Sequence, residues 1–275
     1  MLTTTTETAP QTAAADLAKP RPWWRRPFGM FQTNLREIDA TLDVERVLDF
    51  VQAHGADVWL LNAGGILSFY PTDLPFQTRN PYLAGRPSGD LLGDAVRAAH
   101  ARGVRILARM DFSKVSSRIA AEHPEWCYVS PSGRSQEHSG LISVCPSGQY
   151  YQDRSFAALD EVMDRYDVDG FFFNWFGFNE IDYSKVYHGV CHCLSCRRAF
   201  DAFSGDAELP NGPASPTYGV WRTFAAATIA DLTDRLRAHI ATRRPQAFLL
   251  GRTADMIFHE ANNAVVNAKD VTRST

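Results

Sequence analysis

The stretch Gly170-Phe-Phe-Phe-Asn174 decides the fold. It is a short apolar run that ends in a polar side chain, and turn-forming residues bound it. Such runs are typical of strands buried on both faces, as in parallel sheets covered by helices. The run follows a helical pattern of apolar residues spaced three or four apart: Phe156, Leu159, Val162, Met163 and Tyr166. We therefore predict a helix at 156–166 and a strand at 170–174.

The same alternation of helix and apolar strand recurs on both sides of this stretch. Before it, we predict strands at 28–33, 58–62 and 104–110, with helices at 44–51 and 91–99. After it, a helix at 221–240 precedes two further apolar runs at 247–251 and 256–259. This rhythm predicts a parallel α/β fold, either a (β/α)8 TIM barrel or an open doubly wound sheet. The barrel is favoured because no glycine-rich G-x-G-x-x-G turn follows the first strand and the later strand-to-helix loops are long and polar.

The number of strands is smaller than a complete barrel needs. We count about six apolar strands, whereas a TIM barrel has eight. The expectation is a flexible leader at 1–27, followed by a partial, apparently truncated barrel at 28–275. Two alternatives remain open: the last strands come from elsewhere, or the strand count is wrong.

Composition excludes several classes of function. The 275 residues are 45% hydrophobic and 21% charged, which is enough to build a globular core. The formal net charge is −3, so no nucleic acid partner is expected. No apolar run approaches the roughly 18 residues that span a bilayer, and the first 18 residues hold no Lys or Arg to begin an export signal. We expect a cytoplasmic protein without a membrane partner.

Polar residues at the ends of the predicted strands are candidates for the functional site. In TIM barrels this rim carries the active site. The candidates are Asn34 or Arg36, then Asn62, then Arg109 and Asp111, then Asn174 and Trp175, and finally Glu260, with Glu180 further out on its loop. Amides, carboxylates, a guanidinium and an indole together are the mixture that a sugar site uses. Burial is the favoured expectation for Phe176 and Phe178, which could otherwise extend the aromatic platform.

Two of these side chains could perform glycoside hydrolysis. The reaction needs two carboxyl groups, one to protonate the leaving group and one to attack or to activate water. Asp111 and Glu260 are the best-placed acids on the predicted rim. We therefore expect them to be the catalytic pair, with Asn62, Arg109, Asn174 and Trp175 binding substrate.

A cysteine cluster predicts a metal site. Cys191-His-Cys193-Leu-Ser-Cys196 offers three thiolates, and a tetrahedral zinc site needs one more ligand. Cys145 could supply it from the preceding β-α unit, while Cys127 and His192 are alternatives. Four thiolates leave no open position, so the zinc would be structural. Free thiols without metal also remain open.

Several motifs together resemble a known family. They are the run Asp169-Gly-Phe-Phe-Phe-Asn-Trp-Phe-Gly177, the residues Asp182-Tyr183 and Tyr187-His188-Gly189, the cysteine segment through Phe200, and His259-Glu260-Ala-Asn262. This sequence resembles the sixth family of hypothetical glycosyl hydrolases, barrel proteins related to family 42 β-galactosidases and α-L-fucosidases. The resemblance covers roughly residues 28–262.

The resemblance implies roles for particular residues. The sequence also departs from the pattern of the related families at the end of the fourth strand. It implies Cys145, Cys191, Cys193 and Cys196 as zinc ligands and Glu260 as the strand-end glutamate. In the β-galactosidases the fourth strand ends in Asn-Glu, but here Trp175 follows Asn174. In the fucosidases that strand ends in an Asp nucleophile, but here an amide, Asn174, occupies the place.

Three functional hypotheses follow. The first is a glycoside hydrolase that cleaves a galactoside or fucoside by a retaining mechanism, with a structural zinc. The second is a catalytically deficient carbohydrate-binding or vestigial barrel fragment. The third, a zinc-dependent hydrolase, is disfavoured because an all-thiolate site has no position for an activated water. The expected partner is an oligosaccharide or glycoside, and a homo-oligomer stays open.

Overall fold

A computed structural model describes residues 22–182 and 184–250. Within them the strands are β1 (Met30–Gln32), β2 (Val58–Gly65), β3 (Arg105–Asp111), β4 (Lys114–Ser116), β5 (Glu137–His138), β6 (Leu141–Ser143), β7 (Gly170–Phe173) and β8 (Phe248–Leu250). The α-helices are α1 (Val44–Ala53), α2 (Leu91–Ala101), α3 (Ser117–Glu122), α4 (Ser155–Arg165), α5 (Leu194–Ser204) and α6 (Tyr218–Arg243).

Five strands form one parallel sheet in the order β1-β2-β3-β7-β8. The sheet curls into a half-barrel, which confirms the predicted α/β class and parallel strands. The first predicted strand is shorter than expected, and the fourth ends one residue before Asn174. The sixth predicted strand, at 256–259, lies outside the described residues. Five strands are consistent with a partial TIM-like fold, and the complete eight-stranded barrel stays a prediction.

The helices that connect the strands begin where the sequence supplies N-caps. The Asp43 carboxylate accepts a hydrogen bond from the backbone of Arg46 at the start of α1, and Asp90 accepts one from Gly93 at the start of α2. These caps satisfy backbone N–H groups that the first helical turn leaves unpaired. The buried faces of these helices lie in the same core as the outward-facing strand residues Trp59 and Ile106.

The inner face of the curled sheet has a small core of its own. Val58, Leu60, Leu107 and Phe172 are each at most 1% exposed and pack together. Trp23, Phe28, Met30, Phe248 and Leu250 pack around this inner core. The last six residues of the predicted leader, 22–27, are described, and within them Trp23 makes edge-to-face contacts with Phe28 and Phe248.

A second sheet was not predicted from the sequence. The loop between β3 and α4 folds into the antiparallel order β4-β6-β5. Its strands have two or three residues each, too short for periodicity to reveal them. This small sheet places Lys114 beside the end of β3 and leads from β6 directly to Cys145.

None of the helices within 22–182 and 184–250 is both long and apolar enough to cross a membrane.

Candidate active-site rim and cysteine cluster

Asp111 is the last residue of β3 and lies at the C-terminal end of the parallel sheet. Its Oδ1 accepts hydrogen bonds from the backbone N–H of Ser113 (3.0 Å) and from the Ser113 hydroxyl (2.5 Å). Its Oδ2 accepts one from Nδ2 of Asn174 (2.6 Å). An ionised carboxylate only accepts hydrogen bonds, so three donors suit the ionised form. The fold therefore brings together two predicted rim residues from neighbouring strands.

Asn62 and Arg109 lie side by side on the inner face of the sheet. They are register partners on β2 and β3, two residues beyond the inner-core residues Leu60 and Leu107. The Oδ1 atom of Asn62 accepts a hydrogen bond from the backbone of Leu35 (3.3 Å), which ties the loop after β1 to this layer. Both side chains are half-buried, and their role in binding substrate stays a prediction.

Asn34 and Arg36 lie at the outer margin of the rim. Asn34 is exposed, and its Oδ1 accepts a hydrogen bond from Nε2 of Gln32 (2.6 Å). The Arg36 side chain is 72% exposed and forms an ion pair with Asp39. Each of these contacts is with a residue two or three positions away in the chain. We therefore assign Asn34 and Arg36 no role in the site.

Trp175 follows Asn174 in an unusual backbone conformation. Its φ is +48°, in the left-handed region that non-glycine residues rarely adopt. The side-chain amide of Asn179 donates to the carbonyl oxygens of Trp175 (3.3 Å) and Gly177 (3.2 Å), which holds this turn. Strained residues of this kind occur preferentially at functional sites. The half-buried indole lies 5.9 Å from Nζ of Lys114.

The two phenylalanines of this loop are buried, as the sequence favoured. Phe176 is 2% exposed and stacks on Phe173, with ring centroids 4.9 Å apart. Phe178 is 6% exposed and contacts Trp221 of α6 edge to face at 5.0 Å. Trp175, in contrast, is half-buried, and its role as a sugar platform stays a prediction.

The Glu180 carboxylate is buried and hydrogen-bonded, as is typical of a residue with a structural role. Glu180 is 8% exposed, and its carboxylate accepts hydrogen bonds from the hydroxyls of Tyr187 (2.8 Å) and Tyr218 (3.0 Å) and from Nε1 of Trp221 (2.7 Å). These bonds anchor the loop after β7 to α6. Burial and the Glu180 carboxylate together raise the pKa of both tyrosines, that of Tyr218 to about 12. Glu260, the other predicted catalytic acid, lies outside the described residues.

Lys114, Asp182 and His188 were not predicted as site residues, although Asp182 and His188 belong to the motifs that carry the family resemblance. Lys114 is 2% exposed and Asp182 is 6% exposed. Nε2 of His188 lies 2.8 Å from Oδ2 of Asp182, and this contact lowers the pKa of the Asp182 carboxyl. A sequence signal existed for Lys114, because the chain has four lysines among its 28 basic residues, and Lys114 comes three positions after a predicted strand-end acid.

The predicted zinc ligands come together in a buried cluster. The Sγ atoms of Cys145, Cys191 and Cys193 all lie within 4.8 Å of one another. Cys196 joins them in the first turn of α5, where its backbone N–H donates to Sγ of Cys193 (3.4 Å), and its thiol interacts with those of Cys145 and Cys191. All four residues are at most 6% exposed. The cluster links β6 to the loop after β7.

The two alternative ligands point elsewhere. The Cys127 thiol lies 3.8 Å from the carbonyl oxygen of His123 and 4.0 Å from that of Ala120, near α3. Burial raises the pKa of Cys127 to about 11. The two ring nitrogens of His192 contact the carbonyl oxygen of Pro210 (3.0 Å) and the guanidinium of Arg197 (3.1 Å). Of the three fourth-ligand alternatives, Cys145 is the one that the fold places within the cluster.

Ionisation of this cluster is electrostatically unfavourable without a cation. Burial raises the pKa of Cys145 and Cys196 well above the ordinary value of a thiol. Burial opposes ionisation of Cys191 as well, but hydrogen bonds from the other three thiols outweigh it and lower its pKa. A divalent cation bound between the four sulfurs would stabilise their thiolate forms. The donor set, four buried sulfurs, fits tetrahedral zinc.

Comparison with known proteins connects this geometry to a family. Residues 43–175 match the family model described as hypothetical glycosyl hydrolase 6. The resemblance seen in the sequence is confirmed. The matched segment includes Asn62, Arg109, Asp111, Asn174, Trp175 and Cys145. No match was found among curated proteins.

Solved glycosidases share the fold. An α-L-fucosidase isoenzyme from Paenibacillus thiaminolyticus is 18% identical, with a TM-score of 0.59 over 82% of this chain and 32% of its own. A β-galactosidase from Halorubrum lacusprofundi is 14% identical, with a TM-score of 0.53 over 81% of this chain and 35% of its own. A hypothetical protein from Ruminiclostridium thermocellum is 10% identical, with a TM-score of 0.50 over 80% of this chain and 95% of its own. The chain spans about a third of the two glycosidases.

Proposed function

We propose that this chain forms the catalytic barrel segment of a glycoside hydrolase that cleaves a galactoside or a fucoside by a retaining, two-carboxylate mechanism. The Asp111 carboxylate carries the proposal, because it lies at the C-terminal end of β3 between three hydrogen-bond donors. Family similarity and the shared fold of a fucosidase and a β-galactosidase support it.

In this mechanism Asp111 is the nucleophile and Glu260 the acid and base. The ionised Asp111 attacks the anomeric carbon while Glu260 protonates the departing oxygen, and Glu260 then takes a proton from the water that releases the sugar. The hydrogen bonds from Ser113 and Asn174 hold the Asp111 carboxylate in place without occupying every lone pair. Asn62 and Arg109 contact sugar hydroxyls, and Trp175 stacks on the apolar face of the ring.

Asn174 is the reason for assigning the nucleophile to β3 and not to β7. The resemblance places an amide where the fucosidases have an Asp nucleophile, and an amide does not attack an anomeric carbon. Here the Asn174 amide donates to Asp111 at 2.6 Å, so a carboxylate on the adjacent strand lies next to that position. We therefore assign the nucleophile to β3 and a supporting role to Asn174.

The cysteine cluster would hold a structural zinc ion through Cys145, Cys191, Cys193 and Cys196. A bound zinc would supply a rigid tetrahedral link and no catalytic water, because four sulfurs fill its coordination. The link would tie β6 to the loop after β7, which carries Asp182. Elemental analysis should find about one zinc per chain, and Cys145→Ser should abolish its retention.

Hydrolysis of nitrophenyl β-galactosides and α-fucosides tests the function. Asp111→Asn should lower kcat by a factor on the order of 10²–10⁴, the usual contribution of a catalytic carboxyl group, and so should Glu260→Gln. Asp231→Asn is the matched control, since that carboxylate is 69% exposed on α6. Full activity in Asp111→Asn would exclude the proposed nucleophile.

A second function is favoured by one observation. Asn174, buried at the end of β7, leaves that strand end without a carboxylate, as in a carbohydrate-binding barrel that has lost catalysis. Such a protein would bind galactosides or fucosides with measurable heat but release no nitrophenol. Binding that is lost in Trp175→Ala, with no turnover in any variant, would establish this alternative.

A further inference from the structure

Lys114 is a buried cation in a chain that otherwise uses arginine. It is 2% exposed, and no other Lys or Arg within 22–182 and 184–250 is buried to that degree. The sequence has 24 arginines and four lysines. An ammonium is a compact, strongly hydrated charge, and burying it is costly unless opposite charges compensate. The environment of Lys114 should therefore explain why it is there.

Two carboxylates from different elements act on this ammonium. Asp111 belongs to the end of β3, and Asp182 belongs to the loop after β7. Both raise the pKa of Lys114, while burial, the larger effect, lowers it below its ordinary value. The third neighbour is the indole of Trp175, whose ring centroid lies 5.9 Å from Nζ.

The strands and the loop around Lys114 carry further polar and titratable groups. Across the small sheet it pairs with Ser143 on β6, and the next strand places Gln136 beside Ser143. Both side chains are uncharged. Nδ1 of His138, on β5, lies 3.5 Å from the Ser184 hydroxyl, and Nε2 of His188 lies 2.8 Å from Oδ2 of Asp182. Among the described residues, Asp111 and Asp182 are the carboxylates whose negative charge raises the pKa of Lys114.

We propose that Lys114 is a positioning residue of the candidate active site, whose ammonium group holds Asp111, Asp182 and the Trp175 indole in one arrangement. The inference rests on the proposed function, in which Asp111 attacks the sugar and Trp175 stacks on it. Lys114 joins the end of one barrel strand to the loop that follows another. Without its positive charge, both carboxylates would lose an opposite charge that acts on them and the indole would lose its cation–π partner.

This role makes the arrangement sensitive to alkaline pH. Deprotonation of Lys114 removes the charge that both carboxylates face, and burial makes the amine lose its proton at a lower pH than an exposed lysine does. An arginine at this position keeps its charge throughout the accessible pH range. Lys114→Arg should therefore preserve the arrangement of Asp111, Asp182 and Trp175 at higher pH. Lys114→Met should disrupt this arrangement at every pH.

The first experiment compares hydrolysis of nitrophenyl glycosides by the full-length wild type, Lys114→Arg and Lys114→Met. We expect Lys114→Met to lose about 10²-fold in kcat, the cost of misplacing a reacting group, with a smaller change in KM. Lys114→Arg should retain activity and shift the alkaline limb of the pH profile upward. Lys185→Met is the matched control, because Lys185 is an exposed lysine of the Asp182 loop.

The second experiment does not depend on activity. The six tryptophans are labelled with 5-fluorotryptophan, and Trp175→Phe assigns the Trp175 resonance by ¹⁹F NMR. In the wild type this resonance should shift at alkaline pH as Lys114 loses its proton. In Lys114→Arg it should stay constant over the same range.

The outcomes separate the two proposals. A Trp175 resonance that titrates equally in wild type and Lys114→Arg, or an alkaline limb that does not move in an active Lys114→Arg, overturns the role of Lys114. Absence of glycosidase activity together with a titration that Lys114→Arg abolishes rejects the proposed function and supports the interaction of Lys114 with the Trp175 indole. If Lys114→Met does not fold, the comparison of wild type with Lys114→Arg still decides.

Discussion

The two ends of the parallel sheet differ in chemistry. At the N-terminal end, Trp23, Phe28 and Phe248 cover the inner core, and Arg105 lies over the Trp23 ring at 4.9 Å. At the C-terminal end, Asp111 and Asn174 face each other through a short hydrogen bond. In β/α barrels the first end serves stability and the second end serves catalysis. Substitutions at the two ends should therefore change different properties.

The largest effect is expected in the inner core that separates the two ends. Leu107 is fully buried at the centre of β3. Leu107→Ala removes buried methyl groups and leaves a cavity, so the free energy of unfolding should fall by about 2–5 kcal/mol. Chemical denaturation measures the loss. A change below about 1 kcal/mol would mean that the inner core does not stabilise the sheet.

A smaller loss of stability, without loss of chemistry, is expected at the N-terminal end. Trp23→Ala removes ring contacts with Phe28 and Phe248 from a half-buried side chain, which should cost about 1–2 kcal/mol. The kcat on a nitrophenyl glycoside should stay unchanged below the melting temperature. A fall in kcat equal to that of a rim variant would contradict the division between the two ends.

For Asn174→Ala at the C-terminal end, we expect a loss of catalysis rather than a loss of stability. This change removes the hydrogen bond that holds Oδ2 of Asp111, so kcat should fall by about tenfold, equivalent to about 1.4 kcal/mol. Asn179→Ala offers a comparison, because that amide holds the Trp175 turn and contacts no carboxylate. If Asn174→Ala kept the wild-type kcat, the catalytic role of Asp111 would not depend on its hydrogen bond with Asn174.

The smallest effect concerns the pH dependence of stability. The His188 contact lowers the pKa of Asp182, so this carboxylate stabilises the folded state above the pKa that it has in the unfolded chain. That contribution disappears as the pH falls through the lower, folded-state pKa. His188→Gln should therefore weaken the loss of stability on acidification, measured as the urea midpoint between pH 6 and about pH 3. Identical pH slopes in both proteins would show that the contact is energetically neutral.

The rim and the cysteine cluster were predictable to different degrees. The C-x-C-x-x-C spacing is local, so the sequence itself indicated Cys191, Cys193 and Cys196 as partners. Of the three predicted fourth ligands, the fold brings Cys145 to the cluster and keeps Cys127 and His192 apart from it. Asp111 and Asn174 were predicted as strand-end residues, but their hydrogen bond depends on the register between β3 and β7. Lys114 and Asp182 were missed because neither lies at the end of a barrel strand.

The sequence by itself determined the parallel α/β class, the strands of the parallel sheet, the amphipathic helices between them and the candidate side chains at the strand ends. These features depend on local periodicity and on capping residues such as Asp43 and Asp90, which act within one turn of chain. Only the tertiary structure decided that the charges of Asp111 and Asp182 act on the buried Lys114 and that Cys145 meets the other three thiols. The short strands β4, β5 and β6 are stabilised by pairing with one another rather than by their own pattern. Long-range pairing of that kind leaves no periodic signal in the chain.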